Sequence, residues 1–277
     1  MTAMMTHSPI LRSVRQVAGA TWLVVSSAHR VWRARRRPVQ ALPILVVGAL
    51  RAGGSGKTDW VDWIARRHPE LAILVHPTGD EDRLLESRHP GRVYRDADLL
   101  RAWESASRTG FRAAVSDGGF QDPALDGSPA ILLGEESAPA ANLHPFGPFR
   151  QRRPSRPVQL ALREGRGWDW IRHIDLQAGA RVLVAAGIAR SDSVMDDLRG
   201  LGIEVAAVLP ARDHGRFRRC DIERLERAHG RLPWVITAKD EARGDLEIFD
   251  RPVHVLHREL VVSLGVARSV DLLIPGR

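Results

Sequence analysis

From Ala41 onward the chain alternates short, β-rich apolar runs with stretches whose apolar residues recur at helical spacing. That alternation predicts an α/β fold built on a mostly parallel sheet. The runs predict strands at Ile44–Val47, Leu71–Val75, Ala113–Val115, Ala130–Leu133, Arg181–Ala186, Val205–Leu209, Trp234–Thr237 and Val253–Leu256. Helices are expected at Asp59–Arg67, Asp96–Arg108, Ser191–Leu201 and Asp221–Ala228. Before this region comes one apolar stretch of a different kind, Val17–Ala28, with Arg12 and Arg15 ahead of it and Arg30, Arg33, Arg35, Arg36 and Arg37 behind. It is too short to span a bilayer, and its densest charge follows the apolar part, the reverse of a cleaved signal peptide. Trp22 and Trp32 near its ends suit a helix lying in the surface of an anionic leaflet. The plainer alternative is an amphipathic helix packed on the protein's own core. Pro38 ends the segment.

Three regions follow: 1–38, an amphipathic, membrane-associating segment; 39–165, a phosphate-binding domain; and 166–277, a smaller α/β lobe. The polar, Gly-rich stretch 163–179 is the expected boundary between the lobes. Leu143–Pro157, with four prolines and four arginines, is too irregular for a core element and reads as a functional loop.

Composition and charge narrow the field. The chain has 277 residues, 44% of them apolar, which is enough to bury a core and excludes disordered and disulfide-scaffold proteins. Cys220 is the single cysteine, so no intramolecular disulfide forms. A net charge of +8 suits nucleic acid, an anionic membrane or a phosphorylated substrate alike. Aromatics are not interleaved with the basic residues, so nucleic acid is not an expected partner. Of 41 basic residues only Lys57 and Lys239 are lysines. In so arginine-rich a background, each surviving lysine suggests a place for a compact ammonium where a guanidinium fork does not fit.

Lys57 stands in such a place. Leu45-Val46-Val47-Gly48 runs into Gly53-Gly54-Ser55-Gly56-Lys57-Thr58 and then a helix, the strand, Gly-rich loop and helix order of a phosphate cradle. Backbone N–H groups of the glycines can approach phosphate oxygens, Lys57 can reach the β and γ phosphates, and the Thr58 hydroxyl can ligate Mg²⁺. The general pattern asks for glycine at position 51, where this chain has Arg51, so a simple Gly-rich turn stays open at this point. Asp117 ends an apolar strand where such folds keep a metal-holding acid, although a capping aspartate before Gly118-Gly119 explains it equally well. Zinc chemistry is unsupported, and Thr237-Ala238-Lys239-Asp240 has the wrong spacing for guanine recognition.

The motifs taken in order resemble the tetraacyldisaccharide 4'-kinases of lipid A synthesis. They are the Gly48 to Thr58 loop, Gly79-Asp80-Glu81, Asp117-x-Gly119-Phe120-Gln121, Pro145-x-Gly147-Pro148-x-Arg150, Ala186-Gly187-Ile188, Asp213-His214 and Thr237-x-Lys239-Asp240. The resemblance spans roughly Pro43 to Val261. It implies a P-loop kinase with two α/β lobes that uses ATP and Mg²⁺, acting as a peripheral protein at the cytoplasmic face of the inner membrane. The implied reaction is phosphorylation of the 4'-hydroxyl of a lipid disaccharide-1-phosphate, and a monomer is expected. Residue by residue, it implies Asp80 as the base, assisted by His214, with Lys57 in catalysis. Gly53, Gly54, Ser55, Gly56, Lys57 and Thr58 would bind nucleotide, Thr58 and Asp117 the metal, and Gln121 and Arg150 the substrate. Without the resemblance, Asp80 reads as a helix N-cap and His214 as part of a surface turn.

The chain also departs from that family. Gly118 stands where a second acid is usual, Asp122 where a histidine is usual, and the stretch between Val75 and Gly79 is short. A catalytically inactive or repurposed nucleotide-binding relative is therefore the alternative.

Overall fold

The computed structural model describes residues 17, 21, 24, 25, 28, 42–51, 54–134, 137, 157–187, 191–210, 217–244 and 246–275. The chain divides into two compact units. One comprises residues 1–76, 94–167 and 263–277, the other 77–93 and 168–262.

The first unit is built on β1 (Ile44–Gly48), β2 (Leu71–Val75), β3 (Val93–Arg95), β4 (Ala113–Asp117), β5 (Ala130–Leu133) and β6 (Leu160–Leu162). They form one sheet in the order β3-β2-β4-β1-β5-β6. β1, β2, β4 and β5 are buried along their whole length, as continuous apolar strands covered on both faces must be. The chain goes from β1 to β2 on one side of β1, with β4 between them, and later crosses to β5 on the other. β1 thus lies at the switch in strand order, where the carboxyl ends of strands in such sheets leave a crevice for ligands. α1 (Lys57–Arg67) returns from β1 and buries Trp60, Val61, Ile64 and Ala65, the i, i+1, i+4, i+5 face of an amphipathic helix. α3 (Leu99–Ser107) buries Leu99, Leu100, Ala102, Trp103 and Ala106.

The second unit contains α2 (Glu81–Arg88), β7 (Trp168–His173), β8 (Arg181–Ala186), α4 (Ser191–Gly200), β9 (Glu204–Pro210), α5 (Arg219–His229), β10 (Trp234–Thr237), α6 (Ala238–Arg243) and β11 (Val253–Val262). Its sheet runs β7-β11-β10-β8-β9. β8, β9, β10 and β11 are parallel to one another, and β7 pairs antiparallel with β11, Trp168 opposite Val262 through His173 opposite His257.

These units correct the contiguous 39–165 and 166–277 division in two places. Residues 77–93 belong to the second unit, because α2 is bonded to α6: Lys239 Nζ lies 2.6 Å from Glu81 Oε1, and Arg83 Nη1 donates to the Arg243 carbonyl at 2.9 Å. Residues 263–277 return to the first, because α7 (Leu264–Asp271) is bonded to the end of α1. Arg67 makes two hydrogen bonds to Asp271, at 2.8 and 2.7 Å, and His68 Nε2 lies 2.9 Å from the same carboxylate. The Arg67 guanidinium beside it holds the Asp271 carboxyl down at about 2, with the His68 bond adding to the effect.

The stretch 163–179 does hold a boundary between the units, at Gly167 and Trp168. It contains β7, whose sequence Trp-Asp-Trp-Ile-Arg-His alternates inward and outward positions, with Trp168 buried and packed edge-on against Trp170 at 5.7 Å. At the other end of the chain, Val17, Thr21, Val24, Val25 and Ala28 are helical and exposed. Their spacing places them on one face of a helix. Among the described residues, no helix is long and apolar enough to cross a membrane.

Candidate phosphate site and acid network

The loop after β1 leads directly into α1, whose N-cap is Gly56 in the left-handed conformation, with φ 75° and ψ 15°. A glycine there supplies no capping side chain, so the first-turn N–H groups of α1 have no side-chain acceptor from their cap. Such an end carries partial positive charge and suits an anion; the first turn also holds one acid, Asp59. Gly54 also has positive φ, 62°. Lys57 opens the helix, and its ammonium donates to the Ser55 hydroxyl at 3.2 Å. Gly53 lies outside the described residues.

One residue on, the Thr58 hydroxyl donates to Asp117 Oδ2 at 2.8 Å, and both residues are buried. The sheet register explains the meeting: β4 is next to β1, with Asp117 opposite Val47, so the acid ends its strand beside the loop. Two hard oxygen donors on adjacent elements are the donor set a Mg²⁺ ion prefers. Gln121 faces the same end of β1 and donates through Nε2 to the Ala49 carbonyl at 2.9 Å, which fixes the turn after β4 to the loop.

The two departures after Asp117 have local structural reasons. Gly118 adopts φ +97°, outside what side chains ordinarily take, and donates its N–H to the Val47 carbonyl at 3.0 Å. Asp122 caps a short 3₁₀ turn, accepting from Ala124 N at 3.0 Å.

Asp80 lies in the second unit and is 1% exposed. It is the N-cap of α2, with Oδ1 accepting from Glu81 N at 2.8 Å, as its sequence context alone predicts. It also has a partner that sequence reading did not find. Arg243 Nη2 donates to Asp80 Oδ2 at 3.1 Å and to the Gly187 carbonyl at 3.1 Å, while Nη1 meets Asp240 Oδ1 at 3.1 Å. Asp240 in turn accepts from the Gly187 N–H at 3.1 Å and from the Thr237 hydroxyl at 2.6 Å, and its carboxylate accepts from the Thr237 N–H at 3.3 Å while its own N–H donates to Thr237 Oγ1 at 3.3 Å, the capping box of α6. The available signal was the threonine three residues before an acid in Thr237-Ala238-Lys239-Asp240. Nothing in the sequence marks Arg243 among 39 arginines. The second lysine is accounted for too: Lys239 makes a point-charge pair with Glu81. His214 and Arg150 lie outside the described residues, as do Ile188, Asp213 and nearly all of the proline-rich loop.

Among known proteins, a family profile described as Tetraacyldisaccharide-1-P 4'-kinase matches residues 158–271. The tetraacyldisaccharide 4'-kinase of Gluconacetobacter diazotrophicus is 32% identical over 245 residues, covering 70% of this chain and 71% of that protein. Its namesake in Acidithiobacillus ferrooxidans is 30% identical over 275 residues, covering 77% and 81%. In fold, the chain is similar to the crystal structure of the "apo" form of LpxK from Aquifex aeolicus in complex with ATP, with a TM-score of 0.65, 16% identity, and coverage of 95% of this chain and 99% of that one.

Proposed function

Because the chain belongs to the tetraacyldisaccharide 4'-kinase family and is thus a kinase, we propose that it moves the γ-phosphate of ATP to the 4'-hydroxyl of a lipid disaccharide-1-phosphate at the cytoplasmic face of the inner membrane. The observation that carries this reading is the uncapped head of α1 with Lys57 on it and the Thr58–Asp117 pair beside it. Lys57 supplies a mobile point charge for the β and γ phosphates, and the N–H groups at the head of α1 bind their oxygens. Thr58 and Asp117 would hold Mg²⁺, which when bound neutralises phosphate charge. Asp80 accepts the proton of the attacking hydroxyl, with His214 as its orienting partner. Arg150 grips a phosphate of donor or acceptor with its guanidinium fork, and Gln121 keeps the loop in place from below. The exposed face of Val17, Thr21, Val24, Val25 and Ala28, among flanking arginines, supports a peripheral seat on an anionic leaflet.

A second reading is favoured by Gly118 and Asp122: a nucleotide-binding relative that no longer transfers phosphate. The two part in one assay. The protein is placed on anionic vesicles carrying disaccharide-1-phosphate lipid, with γ-labelled ATP and Mg²⁺. Label on the lipid is the expected result. An ATP-induced rise in melting temperature without label on the lipid establishes the inactive relative instead.

A further inference from the structure

The buried polar groups of the second unit centre on one cation. The Arg243 guanidinium lies between two carboxylates, Asp80 and Asp240, which are 1% and 2% exposed. It spends its fork on three acceptors at once: Asp80 Oδ2, Asp240 Oδ1 and the Gly187 carbonyl, each at 3.1 Å. Asp240 is itself held by Gly187 N–H and by Thr237, so the arginine is anchored to the ends of β8 and β10 before it reaches Asp80. From the other side, Arg83 of α2 donates to the Arg243 carbonyl at 2.9 Å. An N-cap aspartate needs none of this. One bond to Glu81 N would suffice to cap the helix.

We propose that Arg243 is the positioning residue of Asp80, holding its carboxylate ionised and in a single orientation for the proton it receives. This rests on the reading of Asp80 as the base. The charge balance explains why the arginine matters. With it, two buried acids share one cation. Without it, like charges face each other in a site poor in water, and one of them takes up a proton well above the ordinary carboxylate range. A protonated Asp80 cannot accept the hydroxyl proton. The other charged groups around it are already engaged: Glu81 with Lys239 at 2.6 Å, Asp82 with the Gly79 N–H at 2.6 Å, and Arg83 with Arg243 itself. A lysine at 243 would keep the charge but could not span three acceptors.

The test is the pH profile of kcat for label transfer in wild type, Arg243→Met, Arg243→Lys and Asp80→Asn, with folding checked by far-UV circular dichroism. Arg243→Met is expected to lose about 10-fold or more in kcat at neutral pH and to move the acidic limb upward by about one pH unit or more, with KM for ATP unchanged. Arg243→Lys is expected to keep the limb near its wild-type position while losing several-fold in kcat. An unmoved limb in folded Arg243→Met, whatever happens to kcat, overturns the proposal, since a merely structural arginine predicts that result. Where Arg243→Met does not fold, full kcat in Arg243→Lys overturns it. Wild-type kcat in Asp80→Asn removes the base assignment and this proposal together. An inactive Asp80→Asn beside an unmoved Arg243→Met removes the proposal alone.

Discussion

The candidate phosphate site of the first unit and the acid network of the second are built in opposite ways. At the head of α1 the chain places an ammonium that makes one long hydrogen bond to Ser55, an uncapped set of N–H groups, and a threonine bonded to an aspartate. Around Asp80 the chain supplies a dense set of protein partners: a backbone N–H, an arginine, a second aspartate, a threonine and a carbonyl. On the proposed reading, the first arrangement keeps its donors for a charged visitor. On the same reading, the second fixes a carboxylate beforehand, so that little reorganisation is needed when a proton arrives. The two regions therefore leave different marks on the same fold, one sparse and one dense.

The difference shows most strongly in stability. Asp240→Ala removes the acceptor for Gly187, Thr237 and Arg243 at once and leaves a buried guanidinium short of a partner, which is expected to cost about 3–5 kcal/mol. Thr58→Ala, in the sparse region, is expected to cost only about 1–2 kcal/mol. Urea unfolding of both variants measures the contrast, and equal losses would erase it.

Adding a carboxylate to the sparse region tests it from the other side. Gly118→Asp meets no atom within 4 Å of its Cβ but must hold φ +97°, so a loss of roughly 1–2 kcal/mol is expected in thermal unfolding. A larger loss would mean that the turn after β4 is more crowded than its backbone indicates.

The smallest effect concerns the clasp between α1 and α7. Asp271, whose carboxyl is held at about 2 in the folded protein, favours the fold above its ordinary value of 3.8. That contribution is lost as pH falls from about 4 toward 2. Asp271→Asn is therefore expected to flatten this part of the acid-unfolding curve while leaving transfer at neutral pH as it was. His257 acts in the same direction at higher pH. Burial first, and then His173 stacked at 5.1 Å, push its pKa down, so the fold loses stability as pH drops below the ordinary histidine value and the ring must charge.

Much of this was legible in the sequence wherever period and chemistry coincide. The four strands Leu71–Val75, Ala130–Leu133, Arg181–Ala186 and Trp234–Thr237 have the bounds their apolar runs predict. The strand, loop and helix around Lys57 follow from the glycines and the apolar face of α1. Local pattern failed where long-range bonds make the element. α2, Glu-Asp-Arg-Leu-Leu-Glu-Ser-Arg, shows only a weak apolar face and is held by its cap at Asp80 and by Lys239. β7 was hidden by its polar alternation, since only pairing with β11 makes a strand of it. α7 returns to the first unit through Arg67 and His68, a connection 203 residues long that no local pattern contains. Arg243 was invisible for another reason. In a chain with 39 arginines, what sets it apart among the described residues is its burial.

The division of labour between the two regions is tested most directly by measuring both readouts, the ATP-induced melting shift and label transfer to the lipid, in Lys57→Ala and Asp80→Asn. Lys57→Ala is expected to lose the melting shift and transfer together. Asp80→Asn is expected to keep the shift and lose about 10²-fold or more in transfer. An Asp80→Asn protein that loses its ATP response, or a Lys57→Ala protein that keeps it, would contradict the assignment of phosphate binding to the first unit and proton acceptance to the second.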